Sequence, residues 1–213
     1  SCSPLEIIFN SGASEGNSSV LKSVFYSLQS TRSEFIVSQV EHPSIIKAAI
    51  QLQSLGAKIY FIPVNRSGEL NMNYLKSCIS DKTALVSVMM ANNETGTVFP
   101  VKEISEIAHS YGALMHSVGK MNFDFKLLNL DYASFSAHKF YSIKGTGFCY
   151  VKKTSPWLPL VNGGGQERGR RGGTENIIGI GALNIVLDEL SDSQSKIVEM
   201  NRLRDVLEEL ILE

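Results

Sequence analysis

The sequence is short of cysteine, of aromatic residues and of net charge. Its 213 residues include three cysteines, one tryptophan and 8% aromatic residues, and the formal net charge is −1. So balanced a charge is not typical of proteins that bind nucleic acids or acidic membrane surfaces. Cys2, Cys78 and Cys149 are odd in number and lack metal-type spacing, which argues against a disulfide framework or a zinc site. We therefore expect free thiols and a reducing compartment, the cytoplasm or another such as the mitochondrial matrix.

Long hydrophobic runs are missing as well. No apolar run approaches the ~20 residues that span a bilayer, and no signal peptide opens the chain. No internal repeat or low-complexity tract is visible. Apolar residues make up 43% of the chain and charged residues 19%, which is the balance of an ordinary globular core. Because Ser1 leads almost at once into an apolar run, we expect a piece of a longer protein.

Strand-like and helix-like segments alternate along the chain. The run TALVSVMM is continuously apolar, as in strands of a sheet that is covered on both faces. The alternation predicts an α/β fold, with a mainly parallel central sheet and helices on both faces in three layers. The strand-like runs are 6–9, 35–37, 58–64, 83–90, 113–118, 132–137 and 147–151, and the helix-like patterns are 20–28, 43–55, 70–79, 101–111, 175–190 and 193–212.

Ligands of such sheets bind beyond the carboxyl ends of the strands, so the loops that follow strands are candidate sites. The first such loop, Asn10 to Glu15, is rich in small residues and leads into a helix. A helix N-terminus offers unpaired N–H groups and a partial positive charge to a phosphate. A plain turn with an N-cap serine explains the same residues.

Two further loops carry polar side chains after strands. His42 precedes a helix in the segment VEHPS, and Asn93 lies in ANNETG, directly after the TALVSVMM strand. Each loop also has a simpler interpretation, a capping histidine in the first case and a polar turn in the second.

A lysine at the end of a buried-looking strand is the fourth signal. In SFSAHK, Ser136 and His138 stand just before Lys139 and could hold an anionic group. A desolvated lysine loses its proton readily, which suits imine chemistry, whereas a lysine at a strand end can also extend to solvent. Taken together, the four loops favour an aldehyde cofactor with a phosphate handle, and pyridoxal phosphate fits that description.

The ordered set of motifs resembles one protein family. FNSGASEGN, VEHPSI, MMANNETGTVFPV, DYASFSAHKF, KGTGF and NGGGQERGRRGGTEN are similar to segments of the cysteine desulfurases, which belong to the class V, fold type I group of pyridoxal-phosphate enzymes. The resemblance implies a catalytic Lys139, which bonds the cofactor, and a catalytic His42, which stacks on its ring and assists proton transfer. The other implied cofactor contacts are Ala13, Ser14, Ser136 and His138 at the phosphate, Asn93 near the ring, and Thr174 at the phosphate of a second subunit.

The resemblance also implies an activity and a domain plan. The family removes sulfur from L-cysteine, leaving alanine and a persulfide on an enzyme cysteine, for sulfur transfer or iron–sulfur cluster assembly. Thr174 implies a homodimer, and acceptor or scaffold proteins are implied as partners. Residues 1–190 correspond to the cofactor-binding large domain without its N-terminal segment. Residues 191–213 correspond to a helix that leads towards a small C-terminal domain outside this sequence.

The sequence departs from the family pattern at three places. After His116 the family has an Asp and then a Gln before Val-Gly-Lys, whereas this chain continues directly with Ser117. The Asp would keep the pyridine nitrogen protonated, so its loss weakens carbanion stabilisation. Ser142-Ile143 replaces the usual Gly-Pro, and none of the three cysteines has the context of the persulfide-forming one. Two alternatives therefore stay open: a homologue with weak or no catalysis that binds the cofactor or dimerises, and another class V activity such as selenocysteine lyase or transaminase.

Overall fold

The computed structural model describes residues 2–119, 124–191 and 194–212. Strands and helices alternate through most of this length, as predicted. Two short 3-10 helices matter for the site, at Ala137–Phe140 and Gln166–Gly169. In chain order the main elements are β1 (Ile7–Asn10), α1 (Ala13–Leu28), β2 (Glu34–Ser38), α2 (Pro43–Ser54), β3 (Lys58–Ile62), α3 (Met72–Cys78), β4 (Thr83–Ser87), α4 (Val101–Ser110), β5 (Leu114–Val118), β6 (Tyr132–Ser136), β7 (Gly147–Val151), α5 (Ile177–Ser191) and α6 (Gln194–Leu212).

The seven strands form one sheet in the order β1-β7-β6-β5-β4-β2-β3. Neighbours from β6 to β3 pair in parallel, while β7 runs antiparallel to both β6 and β1. The predicted α/β class with a mainly parallel sheet is confirmed. The carboxyl ends of all the described strands except β7 consequently meet at one edge of the sheet, where α/β proteins place their ligands.

Two separate cores lie on the two faces of the sheet. Along β2, Ile36 packs into the core beneath α3 and α4, whereas Phe35 and Val37 pack into the core beneath α1 and α2. Side chains alternate between faces along a strand, so a strand covered on both faces is apolar at every position. The continuous apolar character of these strands in the sequence has this cause.

Helix α1 begins earlier than the apolar spacing predicts. The helix-like pattern starts at Val20, but the helix begins at Ala13 with Gly12 as its N-cap. Its first two turns bury small and polar residues, namely Gly16, Asn17 and Ser19, so they carry no apolar period. Gly16 lies against Ser134 of β6 and Cys149 of β7, where a Cβ would not fit without a shift of its neighbours.

None of the helices in the described residues combines the length and the apolar character that a membrane crossing requires.

The close approach of α1 to the sheet gives a testable prediction. A Cβ on Gly16 would lie 2.5 Å from Cys149 Sγ, whereas a Cβ on Gly181 in α5 would meet no atom within 4 Å. We expect Gly16→Ala to lower the free energy of unfolding by about 1–3 kcal/mol, since a well-packed contact has to open. Gly181→Ala should raise it by up to about 1 kcal/mol, because alanine favours helix. Urea unfolding of both variants measures this, and stabilisation by Gly16→Ala would contradict the packing.

Candidate active site

A cleft lies at the carboxyl edge of the sheet, between the loop after β1 and the loop after β6. Its volume is about 260 Å³, and its entrance is open to solvent. The cleft is where four of the sequence-predicted phosphate residues meet. Its lining residues are Ser11, Gly12, Ala13, Ser14, Glu15, Ser136, His138, Lys144 and Gly145.

The backbone of the loop after β1 is held from two sides. The Ala13 N–H donates to Ser136 Oγ at 2.8 Å, and the Gly12 N–H donates to Asn10 Oδ1 at 2.9 Å. Gly12 has φ 145°, a conformation that favours glycine. The backbone N–H groups of Ser14 and Glu15 have no acceptor among the described residues. The first turn of α1 therefore points two free donors and the positive end of its dipole at the cleft.

An ion pair joins this loop to the glycine-rich segment 162–173. Arg171 donates to both carboxylate oxygens of Glu15, at 2.8 and 3.1 Å, and the Ser11 N–H donates to Glu15 Oε2 at 3.0 Å. Burial would raise the pKa of Glu15, but the hydrogen bonds from Arg171 and Ser11 outweigh it, and the pKa lies below its ordinary value. The Glu15–Arg171 ion pair was not predicted. The signal available in the sequence was an acidic residue in the loop after β1 and basic residues in the glycine-rich segment.

The loop after β2 is fixed by a buried acid. Glu41 Oε1 accepts hydrogen bonds from Ser38 Oγ, at 3.0 Å, and from the backbone N–H of Met89. Burial raises the pKa of Glu41 to about 8, against these two hydrogen bonds. The carboxyl group thereby joins the end of β2 to the segment that follows β4. Sequence analysis passed over Glu41, which is unusual as an acid so close to the end of an apolar strand.

His42 is the N-cap of α2, directly after Glu41. Its Nδ1 accepts from the Ser44 N–H at 3.1 Å and lies 2.8 Å from Ser44 Oγ. Since Nδ1 is an acceptor, the neutral ring carries its proton on Nε2. His42 is exposed and shares a second cleft with Ser14, which also lines the first. The structure thus places His42 beside the loop after β1, through the shared residue Ser14.

Lys139 lies in the 3-10 helix at Ala137–Phe140 and is exposed. His138 lines the cleft, but the lysine among the lining residues is Lys144, not Lys139. Tyr141 ends the 3-10 helix with φ 66°. Ser142 has no positive φ, so its replacement of a glycine causes no left-handed strain at that position.

The loop after β4 is anchored by the neighbour of the predicted asparagine. Asn93 is exposed, whereas Asn92 Nδ2 donates to the Val40 carbonyl at 3.2 Å. Asn92 Oδ1 also accepts from the N–H groups of Glu94 and Thr95. Asn92 therefore positions the loop that presents Asn93.

Thr174 lies in a third cleft, next to the first. This cleft shares Ser11 and Gly145 with the first cleft and also contains Glu167 and Arg171. Thr174 is exposed there. Its contact with a second subunit stays a prediction.

The end of β5 is apolar, where the resemblance would place an acid. Val118 ends the strand, two residues after His116 and therefore on the same face of the sheet. His116 is fully buried, and burial lowers its pKa to about 3. The imidazole is therefore neutral and does not replace a carboxylate.

The three cysteines are all poor thiolates. Burial raises the pKa of Cys2 and of Cys78, and it raises the pKa of Cys149 to about 12. A thiol must lose its proton to act as a nucleophile. The structure therefore agrees with the sequence in giving none of these residues the features of the persulfide-forming cysteine.

Comparison with known proteins identifies the family. A family model described as Aminotransferase class-V matches residues 2–212. The chain belongs to the class-V aminotransferase family. The resemblance to cysteine desulfurases is confirmed within it: the chain is 38% identical over 213 residues to a cysteine desulfurase of Nostoc sp., covering 97% of this chain and 53% of the relative. It is 37% identical over 201 residues to the cysteine desulfurase IscS of Clostridium botulinum, covering 90% and 51%.

Solved structures agree with this membership of the class-V family. A NifS-like protein superposes with a TM-score of 0.90 at 36% identity, over 99% of this chain and 60% of that one. SspA, solved in complex with cysteine, superposes with a TM-score of 0.83 at 30% identity, over 94% and 61%. The chain spans about half the length of the curated relatives it matches.

The raised pKa of Glu41 gives a prediction for stability against pH. Between about pH 4.5 and 8 the folded state keeps the proton that the unfolded state releases, so Glu41 makes the protein less stable as the pH rises. Glu41→Gln removes this dependence and keeps an oxygen for both donors. As the pH rises through this window, we expect the free energy of unfolding of the variant, relative to that of the wild type, to increase by about 1.4 kcal/mol per pH unit.

Urea unfolding at pH 5 and pH 7.5 measures the difference. Glu94→Gln, at an exposed position of the loop after β4, is the matched control and should follow the wild type at both pH values. A parallel pH profile for Glu41→Gln and wild type would show that Glu41 is ionised in the folded protein.

Proposed function

We propose that this chain is the pyridoxal-phosphate-binding part of a cysteine desulfurase-type enzyme that acts on L-cysteine. The observation that carries the proposal is the phosphate cleft at the carboxyl edge of the sheet, lined by Ser14, Ser136 and His138. The cysteine bound to the structural relative SspA supports the substrate.

The cleft fits a phosphate group. It presents the free N–H groups of Ser14 and Glu15 together with the Ser136 hydroxyl and the His138 side chain. At Gly12 the backbone comes so close to Ser136 that an added Cβ would lie 3.2 Å from Oγ. Tight backbone approach, an oriented helix N-terminus and small side chains are the usual elements of an anion seat.

Pyridoxal phosphate supplies an aldehyde and an electron-withdrawing ring when it is bound. Lys139 is the residue proposed to bond with the aldehyde carbon, and it follows the phosphate contact His138 directly in sequence. His42 holds a proton at Nε2, because its Nδ1 is occupied by Ser44, so it can donate that proton towards the substrate. Glu41 and Asn92 act through the backbone, by holding His42 and Asn93 in place.

Weak catalysis is the second candidate, and Val118 is the observation that favours it. An aliphatic side chain at the end of β5 cannot hold a proton on the pyridine nitrogen. Losing one positioned electrostatic group commonly lowers a rate by about 10²–10³-fold. On this candidate the chain binds the cofactor, with a role in dimerisation or sulfur transfer but little turnover. Selenocysteine lyase or transaminase activity is a third possibility within the same family.

We also propose a homodimer, with sulfur acceptors or iron–sulfur scaffold proteins as partners of the whole protein. Large apolar side chains stand exposed around the site, including Tyr141 at 78%, Ile177 at 76% and Ile178 at 81%. Helix α5, which carries two of them, lies against the 3-10 helix that contains Lys139. Exposed apolar patches of this kind mark interaction surfaces.

The cofactor proposal predicts a spectroscopic signature. The protein mixed with pyridoxal phosphate should absorb in the visible, and Lys139→Ala should abolish this band, because the lysine nitrogen forms the covalent bond. Lys144→Ala is the matched control: Lys144 lines the same cleft and should leave the band in place, with weaker affinity for the phosphate. Titration followed by absorbance measures both. A band that survives Lys139→Ala and disappears in Lys144→Ala would reassign the covalent residue.

Turnover is tested separately by sulfide and alanine release from L-cysteine with a thiol reductant. We expect the chain on its own to show very weak activity or none, because the acid that the resemblance implies after His116 is absent and burial raises the pKa of all three thiols. Rapid desulfuration would refute the weak-catalysis candidate. A colourless protein that also releases no sulfide would refute the cofactor proposal.

A further inference from the structure

A line of polar side chains, buried except for the half-buried Asn10, crosses five neighbouring strands on the face covered by α1. It runs from β4 through β5, β6 and β7 to β1. Its side chains contact each other as follows: Ser87 Oγ to His116 Nδ1 at 2.9 Å, His116 Nε2 to Ser134 Oγ at 3.0 Å, Ser134 Oγ to Cys149 Sγ at 3.7 Å, and Asn10 Nδ2 to Cys149 Sγ at 3.3 Å.

One hydrogen bond of the line has a fixed direction. The Asn10 amide nitrogen can only donate, so Cys149 accepts there. A thiol, a hydroxyl group and a neutral imidazole can each donate and accept, so the hydrogen bonds from Cys149 through Ser134 and His116 to Ser87 can run in either direction. His116 is neutral, as its lowered pKa requires, so one of its two ring nitrogens carries a proton and the other accepts.

Asn10, the last member of the line, is hydrogen-bonded to the loop after β1. Asn10 Oδ1 accepts from the Gly12 N–H at 2.9 Å, so a single amide group joins the polar line to the backbone at the start of α1. Helix α1 lies directly on this junction: a Cβ on Gly16 would lie 2.5 Å from Cys149 Sγ and 3.2 Å from Asn10 Nδ2. A substitution at Cys149 therefore alters contacts of both α1 and the loop after β1.

We propose that Cys149 and Asn10 are positioning residues for the Gly12–Ala13 turn, with Cys149 setting the orientation of the Asn10 amide that holds Gly12. The pinned turn leaves the N–H groups of Ser14 and Glu15 free for an anion. That this anion is the phosphate of pyridoxal phosphate rests on the proposed function. The buried thiol thus serves as a hydrogen-bonding group and takes no part as a nucleophile.

The test compares two substitutions of nearly the same size. Cys149→Ser keeps a group that accepts from Asn10 and forms a hydrogen bond with Ser134, whereas Cys149→Ala keeps neither contact. Cys78→Ala removes a half-buried thiol outside the line and is the control. In the ligand-free protein, we expect the Gly12 amide to exchange with solvent about fivefold faster in Cys149→Ala than in Cys149→Ser, as the loss of one hydrogen bond predicts.

The second arm uses pyridoxal phosphate and pyridoxal, which lacks the phosphate. Cys149→Ala should weaken binding of pyridoxal phosphate about fivefold and leave that of pyridoxal within about twofold, while Cys149→Ser stays near the wild type for both. Equal behaviour of the Ala and Ser variants, in exchange and in binding, would overturn the inference. Failure of the wild type to bind pyridoxal phosphate would refute the proposed function instead, and the exchange of Gly12 would then decide the inference alone.

Discussion

The contact between the start of α1 and the carboxyl ends of β1 and β6 is the constraint on which the rest of the site depends. Ser136 Oγ accepts from the Ala13 N–H, and Gly12 brings the two backbones together. If α1 began one turn further from the sheet, its free N–H groups would face solvent in place of the cleft. The small residues in the first turns of α1 are therefore a consequence of where the helix must lie. These small residues bury little apolar surface at the start of the helix, and the apolar residues from Val20 onward supply the burial that stabilises it.

The frame beneath the site is held by uncharged groups. His116, Cys149 and Glu41 are all fully buried, and burial shifts the pKa of each towards its neutral form. Neutral groups can be hydrogen-bonded in a low-dielectric interior without the desolvation cost of an ion. The ion pair of the region, Glu15 with Arg171, lies nearer the surface, where it joins two loops. Around the cleft, neutral hydrogen bonds therefore hold the buried groups His116, Cys149 and Glu41, whereas the Glu15–Arg171 ion pair joins the loops nearer the surface.

Sequence reasoning reached the fold more completely than the site. The apolar strands and the alternating helices are set by local composition, so the parallel sheet and the position of the loops follow from general rules. The contacts that hold the loops do not. Glu41 bonds to Met89, 48 positions away, and Asn10 bonds to Cys149, 139 positions away. No local pattern encodes such pairs, since they depend on strand order and register. Cys149 stands in the apolar run GFCYV, and only the register of β7 against β6 and β1 shows its hydrogen-bonding neighbours.

On the proposed function, cofactor binding and electron withdrawal depend on different parts of this sheet edge. The proposed phosphate contacts lie on β1, α1 and β6, while the acid that would protonate the ring nitrogen is expected near the end of β5, where Val118 stands. Val118 takes no part in the hydrogen bonds that hold Gly12 and Ala13, so its aliphatic character leaves the proposed phosphate contacts in place. Such a chain can bind a phosphorylated aldehyde even where it stabilises a carbanion poorly, because the two properties depend on different residues. Affinity alone is therefore no measure of turnover, and the two must be followed by separate observables.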